Sequence, residues 1–132
     1  MVLVDSDVWS EAFRKPSASP SREVLALRDL IEVEQVLMIG PIRQEVLSGL
    51  RDSKKYESIR KTLRSFPDAT IATEAFELAA KFFNHCRSHG VQGSHTDFLI
   101  GACSTLWDVR ILSKDNDYKN YARWIPVLVY EF

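Results

Sequence analysis

Apolar positions along this chain fall into two rhythms. Short apolar-rich runs at Val2 to Val4, Val36 to Ile39, Val109 to Leu112 and Val127 to Tyr130 have the length and β-branched content of strands buried on both faces. Between them the spacing turns helical. Val24, Leu27, Leu30 and Ile31 form the apolar stripe of a helix that follows the Ser/Pro segment Ser17 to Ser21. Gly40-Pro41 stops the second strand and opens a helix with Ile42, Val46 and Leu50 on one face. Ile59 and Leu63 mark a surface helix over residues 54–66 with a basic polar face, ending before Pro67. Ala69 to Ala72 reads as a brief strand. Phe76, Ala79, Ala80 and Phe83 then give a helix that Gly90 can end. Ser94 or Thr96 caps the next, whose buried stripe is Leu99, Ala102, Cys103 and Leu106, and a short helix from Tyr118 to Trp124 precedes the last strand. This alternation predicts an α/β fold, a mainly parallel central sheet with helices on both faces in three layers, in which ligands bind beyond the carboxyl ends of the strands.

Composition narrows the class without naming a chemistry. With 132 residues, 45% hydrophobic and 27% charged, and no linker-like tract or repeat, the expectation is a single domain spanning residues 1–132. No apolar run approaches the roughly 20 residues of a membrane span, and the first residues lack the features of a signal peptide, so a soluble cytoplasmic protein with no membrane contact is expected. Cys86 and Cys103 fit buried small hydrophobes better than a disulfide framework. A formal net charge of -1 gives no global basic excess, so any nucleic-acid contact has to come from local features.

The acids carry the chemical signal. Asp5 and Asp115 each follow a strand, while Glu45 and Asp97 are expected near helix starts, which in βαβ units lie at the same sheet edge. Unit charges about 4 Å apart repel by roughly 4 kcal/mol at an intermediate dielectric, so such a gathering calls for a cation or protons. All-oxygen ligands suit Mg²⁺ or Mn²⁺ rather than zinc, and such ions support phosphodiester hydrolysis. In that reading Asp5 and Asp97 are the principal ligands, Asp115 a ligand or water-positioning group, and Glu45 a second-site ligand or outer acceptor, with Asp117 a fifth candidate. The competing reading is local, because Asp at a strand end or helix start often caps backbone N–H groups, and Asp7 could cap the helix that follows it.

Four strings carry a family resemblance: Val-Asp-Ser-Asp-Val-Trp at 4–9, Ile-Arg-Gln-Glu-Val at 42–46, Thr-Asp-Phe-Leu-Ile-Gly-Ala at 96–102 and Leu-Ser-Lys-Asp-Asn-Asp-Tyr at 112–118. In order, spacing and length the chain resembles the PIN-domain nucleases, whose small members are typically VapC-like toxins. The resemblance implies a PIN-like three-layer fold and a Mg²⁺- or Mn²⁺-dependent endoribonuclease. It also implies a homodimer held inactive by a cognate antitoxin. It assigns Asp5, Glu45, Asp97 and Asp115 to the acidic set, with Asp117 assisting and Ser6 and Ser113 orienting carboxylates. Gly101 stands where the family often has Ala, a change that loosens the helix slightly.

Other polar residues offer further readings. Arg14, Lys15, Arg43, Arg51, Lys54, Lys55 and Lys114 lie near the acids in sequence and could meet RNA, with Arg43 and Lys114 singled out as phosphate contacts. Trp9, Phe13 and Trp107 could stack on bases or pack in a core or dimer interface. His85 and His89, one helical turn apart, raise with Cys86 and His95 a zinc question, against the ordinary reading of cations at a helix end. Two other functions compete with the nuclease. One is a haloacid-dehalogenase-like phosphatase using Asp5 and Asp7, although Val8-Trp9 departs from that motif. The other is a non-catalytic, receiver-like Mg²⁺-binding domain, which lacks an evident phosphoacceptor.

Overall fold

A computed structural model describes residues 1–14 and 19–132; Lys15 and Ser17, named above, lie outside the described residues. The elements run β1 (Val2–Val4), α1 (Ser6–Ala12), α2 (Arg22–Glu32), β2 (Val36–Leu37), α3 (Gly40–Ser48), α4 (Ser53–Leu63), α5 (Thr73–Ser88), α6 (His95–Trp107), β3 (Arg110–Leu112), α7 (Asp117–Tyr121) and β4 (Leu128–Val129). Among the described residues the sheet is four-stranded and wholly parallel, in the order β2-β1-β3-β4. The expected α/β architecture is therefore present. Successive strand residues face opposite sides, and Val2, Leu3 and Val4 are all buried, so both faces of β1 are covered. Among the described residues no helix is long and apolar enough to cross a membrane.

The register at the sheet centre positions the site. Val4 pairs with Leu112, and the Asp5 N–H continues the ladder to the Leu112 carbonyl at 2.9 Å. Asp5 and Ser113 therefore leave adjacent strands side by side. On one side α1 packs against α2 and α3, and α3 against α4; elsewhere α5 packs along α6, which lies against β3 and β4. Gly101 is buried in α6, and a Cβ there would stand 3.0 Å from Val127 Cγ1. The loss of helix propensity coincides with a close approach to the chain entering β4.

Several expectations need correction. In α5 the buried stripe is Ala75, Ala79, Phe82 and Cys86; Phe76 and Ala80 are exposed and Phe83 is partly buried. Phenylalanines at 76, 82 and 83 leave the sequence pattern open between faces, and packing against α6 selects the one lined by small residues. Leu106 and Ile31 are likewise exposed rather than buried. Leu50 lies beyond the end of α3, packed against the core from the following turn. The strand expected over Ala69 to Ala72 reduces to a single bridge between Met38 and Asp68. The Gly90 stop is observed: its φ of 76° is open to glycine, and the Val91 N–H donates back to the Cys86 carbonyl. Cys86 and Cys103 are free and buried, and burial pushes the Cys103 thiol up to about 11.

Arg43, expected as a phosphate contact, is a tie within the fold. Its Nε donates to Asp68 Oδ1 at 3.0 Å, Nη1 to the Leu63 carbonyl at 3.0 Å, and Nη2 to the Phe66 carbonyl. Leu63 ends α4 and its carbonyl also accepts from the Phe66 N–H at 3.0 Å, so the guanidinium adds a second donor to it and binds the following turn to α3. Arg43→Ala is expected to lower the unfolding free energy by about 2 kcal/mol, and Arg43→Lys to recover little of it because an ammonium lacks the fork. Urea denaturation measures this, and a loss below about 0.5 kcal/mol in the alanine variant would remove the structural role.

Candidate active site

Asp5 stands at the carboxyl end of β1, 8% exposed, and caps α1. Its Oδ1 accepts from the Ser6 N–H at 2.8 Å, and its Oδ2 lies 3.3 Å from Ser113 Oγ. Asp5, and not Asp7, is thus the helix cap. Asp7 instead turns to the end of β3, where its Oδ2 accepts from the Lys114 N–H at 2.9 Å and meets Ser113 Oγ at 3.1 Å. Ser113 has one hydroxyl proton for two carboxylates, so serving both requires a proton on one acid. Ser6 Oγ donates to Glu45 Oε2 at 3.4 Å. Glu45 is the sixth residue of α3, in the middle of that helix rather than near its start.

Asp97 lies in the first turn of α6, where Ser94 Oγ accepts from its N–H at 3.0 Å. The Tyr121 hydroxyl donates to Asp97 Oδ2 at 2.8 Å. Asp115 closes a short turn by accepting from the Asp117 N–H at 2.8 Å, and its own N–H reaches Ser113 Oγ at 3.4 Å. Ser113 and Ser6 thus link Asp5, Asp7, Glu45 and Asp115, Asp115 links to Asp117, and Tyr121 holds Asp97.

Electrostatics registers this gathering. Burial pushes the Asp5 carboxyl from 3.8 up to about 7, and Asp7, Asp97 and Glu45 push the same way against the stabilising Ser6 N–H. Glu45 is raised by burial, with Asp97 and Asp7 adding to it, and Asp117 by burial, Asp115 and Asp97. Asp7 is also raised by burial, and its Oδ1 is buried with no hydrogen-bond partner. An unpartnered carboxylate oxygen beside a buried carboxyl at the edge of neutrality is a site short of positive charge. Its donors are all oxygen, the set a hard divalent cation takes. Among the described residues, no three His, Cys, Asp or Glu side chains stand close enough to enclose an ion.

Lys114 Nζ, expected as a phosphate contact, pairs with Glu11 Oε1. That hydrogen bond holds Glu11 down to about 2, and Glu11 Oε2 also accepts from the Ser21 N–H at 3.1 Å, fastening the loop after β3 to α1 and the cap of α2. Arg14, Arg51, Lys54 and Lys55 are exposed. Trp9 is fully buried between Phe13 and Phe66, with ring centroids 5.9 and 5.1 Å away, and Trp107 packs partly buried against the core, so these rings serve packing. His89 stacks on Trp124 at 4.0 Å and His95 on Phe83 at 4.7 Å, and His85 lies edge-on to His89 at 4.8 Å.

Glu11, Tyr118 and Tyr121 escaped the sequence reading. The tyrosines follow Asp115 at a spacing that also suits core packing, and both are buried. Only the hydroxyls distinguish them: Tyr121 binds Asp97, and the buried Tyr118 hydroxyl has no partner.

The PIN domain family model matches residues 2–123. The VapC ribonuclease Mb1587 of Mycobacterium bovis is 29% identical over 125 residues, covering 93% of this chain and 92% of that protein, and ribonuclease VapC11 of Mycobacterium tuberculosis matches to the same extent. Among solved structures, FitAcB from Neisseria gonorrhoeae superimposes with a TM-score of 0.77 at 21% identity, over 99% of this chain and 97% of that one. VapBC2 from Rickettsia felis, bound to a promoter DNA fragment, gives 0.76 at 15% identity over 99% and 98%.

The raised Asp5 carboxyl has a stability consequence. A carboxyl whose pKa is higher in the folded than in the unfolded chain stabilises the fold fully below about pH 4 and loses that contribution as pH rises through 7. Asp5→Asn keeps the capping oxygen and removes the charge. In EDTA it is expected to raise the melting temperature by roughly 5 °C at pH 8, with the gain shrinking as pH falls toward 4. A gain independent of pH in thermal unfolding would contradict the buried-charge assignment.

Proposed function

The chain belongs to the PIN domain family, and on that footing we propose that it is a divalent-metal-dependent endoribonuclease, the toxin of a toxin–antitoxin pair. The observation that carries this reading is Asp5, a buried carboxylate at the end of the central strand with Asp7, Asp97 and Glu45 acting on it. Relatives named as VapC ribonucleases align over nearly the whole chain, which supports RNA as the substrate. The FitAB and VapBC neighbours support an antitoxin as the partner.

Asp5 and Asp97 are the proposed ligands of Mg²⁺ or Mn²⁺, with Asp115 beside them and Glu45 acting through water. Mg²⁺ commonly keeps several waters and takes only one or two carboxylates directly, so a looser ring of acids suits it. When bound, such an ion supplies a polarised phosphate and a water of lowered pKa for in-line attack. The protein's own residues do the rest. Ser113 and the Ser6 N–H orient the two Asp5 oxygens, and Ser6 Oγ turns Glu45 toward the same end of the sheet. Asp115 and Asp117 line the exit of β3. A cognate antitoxin and a second copy of the chain are the proposed partners. Neither the phosphatase nor the receiver-like reading is favoured, because the family match runs through all four acidic strings.

Purified protein incubated with total cellular RNA is expected to yield discrete fragments with Mg²⁺ or Mn²⁺ and none with EDTA. Asp5→Asn and Asp97→Asn should each lose at least about 100-fold in rate while remaining folded. Cleavage surviving in either variant would remove that residue from the site. Expression in cells is expected to arrest growth unless the cognate antitoxin is co-expressed, and unimpaired growth with soluble wild-type protein would count against the toxin role.

A further inference from the structure

The sequence places a glycine, Gly93, four residues before Asp97, and a tyrosine, Tyr121, on the short helix beyond β3. The fold brings all three together. Tyr121 is 2% exposed, and its ring packs against Phe98 with centroids 4.9 Å apart and edge-on to Tyr118 at 5.6 Å. A ring fixed on two sides has one direction for its hydroxyl, and that direction ends on Asp97 Oδ2 at 2.8 Å. Gly93 makes the seat possible: a Cβ there would collide with the Tyr121 hydroxyl and lie 2.8 Å from its Cζ and 3.0 Å from Phe98 Cε2. Space left by a missing side chain is thus filled by a phenol oxygen.

We propose that Tyr121 is the positioning residue for Asp97, and that Gly93 is the gap that admits it. This inference rests on Asp97 being a metal ligand in the nuclease proposed above. A carboxylate in the first turn of a helix rotates about its terminal bond at little cost. A fixed donor on Oδ2 removes that freedom and commits Oδ1, which takes no hydrogen bond among the described residues, to the metal side. A phenol hydroxyl carries one proton, and against a carboxylate oxygen it is the donor. Tyr121 touches neither substrate nor scissile phosphate in this scheme; it acts through Asp97.

The test is Mn²⁺ binding to the metal-free protein, followed by water-proton relaxation in the absence of RNA, for wild type, Tyr121→Phe, Gly93→Ala and Asp97→Asn. Tyr121→Phe is expected to weaken Mn²⁺ binding about 10-fold, with the cleavage rate returning to within a few-fold of wild type at saturating Mn²⁺. Gly93→Ala, which displaces the phenol from the other side, should reproduce the loss, so that a folding failure in one variant leaves the other to decide. Unchanged Mn²⁺ affinity in the folded Tyr121→Phe variant, with binding lost in Asp97→Asn, would overturn this inference and leave the nuclease reading standing. Unchanged affinity in Asp97→Asn would overturn this inference together with the assignment of Asp97 as a metal ligand.

Discussion

The pairing of β1 with β3 is the constraint on which the rest of this molecule depends. Because Val4 lies opposite Leu112 and the Asp5 N–H extends the ladder to Leu112, the residues immediately beyond the two strands emerge together. Asp5 and Ser113 are those residues. A slip of one position would send Val4 or Leu112 to the site and turn the acid into the sheet, since side chains alternate faces along a strand. Most other groups at the site are arranged relative to this pair: Asp7 through Ser113, Glu45 through Ser6, and Asp115 and Asp117 through the turn that leaves β3, while Asp97 is held separately by Tyr121.

Burial then sets the chemistry of what the strands deliver. An exposed acidic cluster would be screened by water, whereas Asp5 is withdrawn far enough that loss of solvation outweighs the Ser6 hydrogen bond and holds its carboxyl near neutrality. The site therefore stores unfavourable electrostatic energy when empty of cations, and a divalent ion or a proton relieves it. Stability and function pull against each other at one side chain, as is common where a protein keeps charge in a poorly solvated crevice.

Positive charge near the acids is spent on architecture. Arg43 closes the end of α4, and Lys114 fastens the loop after β3 to Glu11. Both were reasonable phosphate contacts from their sequence neighbours, yet adjacency along a chain says little about where a long side chain ends. Arg43 leaves α3 toward the turn at Phe66 to Asp68, and Lys114 finds a carboxylate contributed by α1. Of the basic residues that neighbour the acids in sequence, Arg14, Arg51, Lys54 and Lys55 remain exposed, in a chain of net charge -1.

The sequence by itself determined the α/β alternation, the strand that ends at Asp5, the Pro41 helix start and the Gly90 stop, because these are local, while the choice of Ser94 over Thr96 as cap of α6 was left to the structure. A buried strand, a cap or a glycine turn is dictated by a few neighbouring residues. It also held the family signal, spread over four short strings. Tertiary structure decided which face of α5 is buried, since a helix with phenylalanines around its circumference takes its register from α6. It reduced the strand expected over Ala69 to Ala72 to one bridge, between Met38 and Asp68, with Ala69 and Ile71 packed against the core. It alone brought Tyr121 and Gly93 to Asp97, for complementarity between a missing side chain and a phenol hydroxyl exists only in three dimensions and leaves no periodicity in the chain.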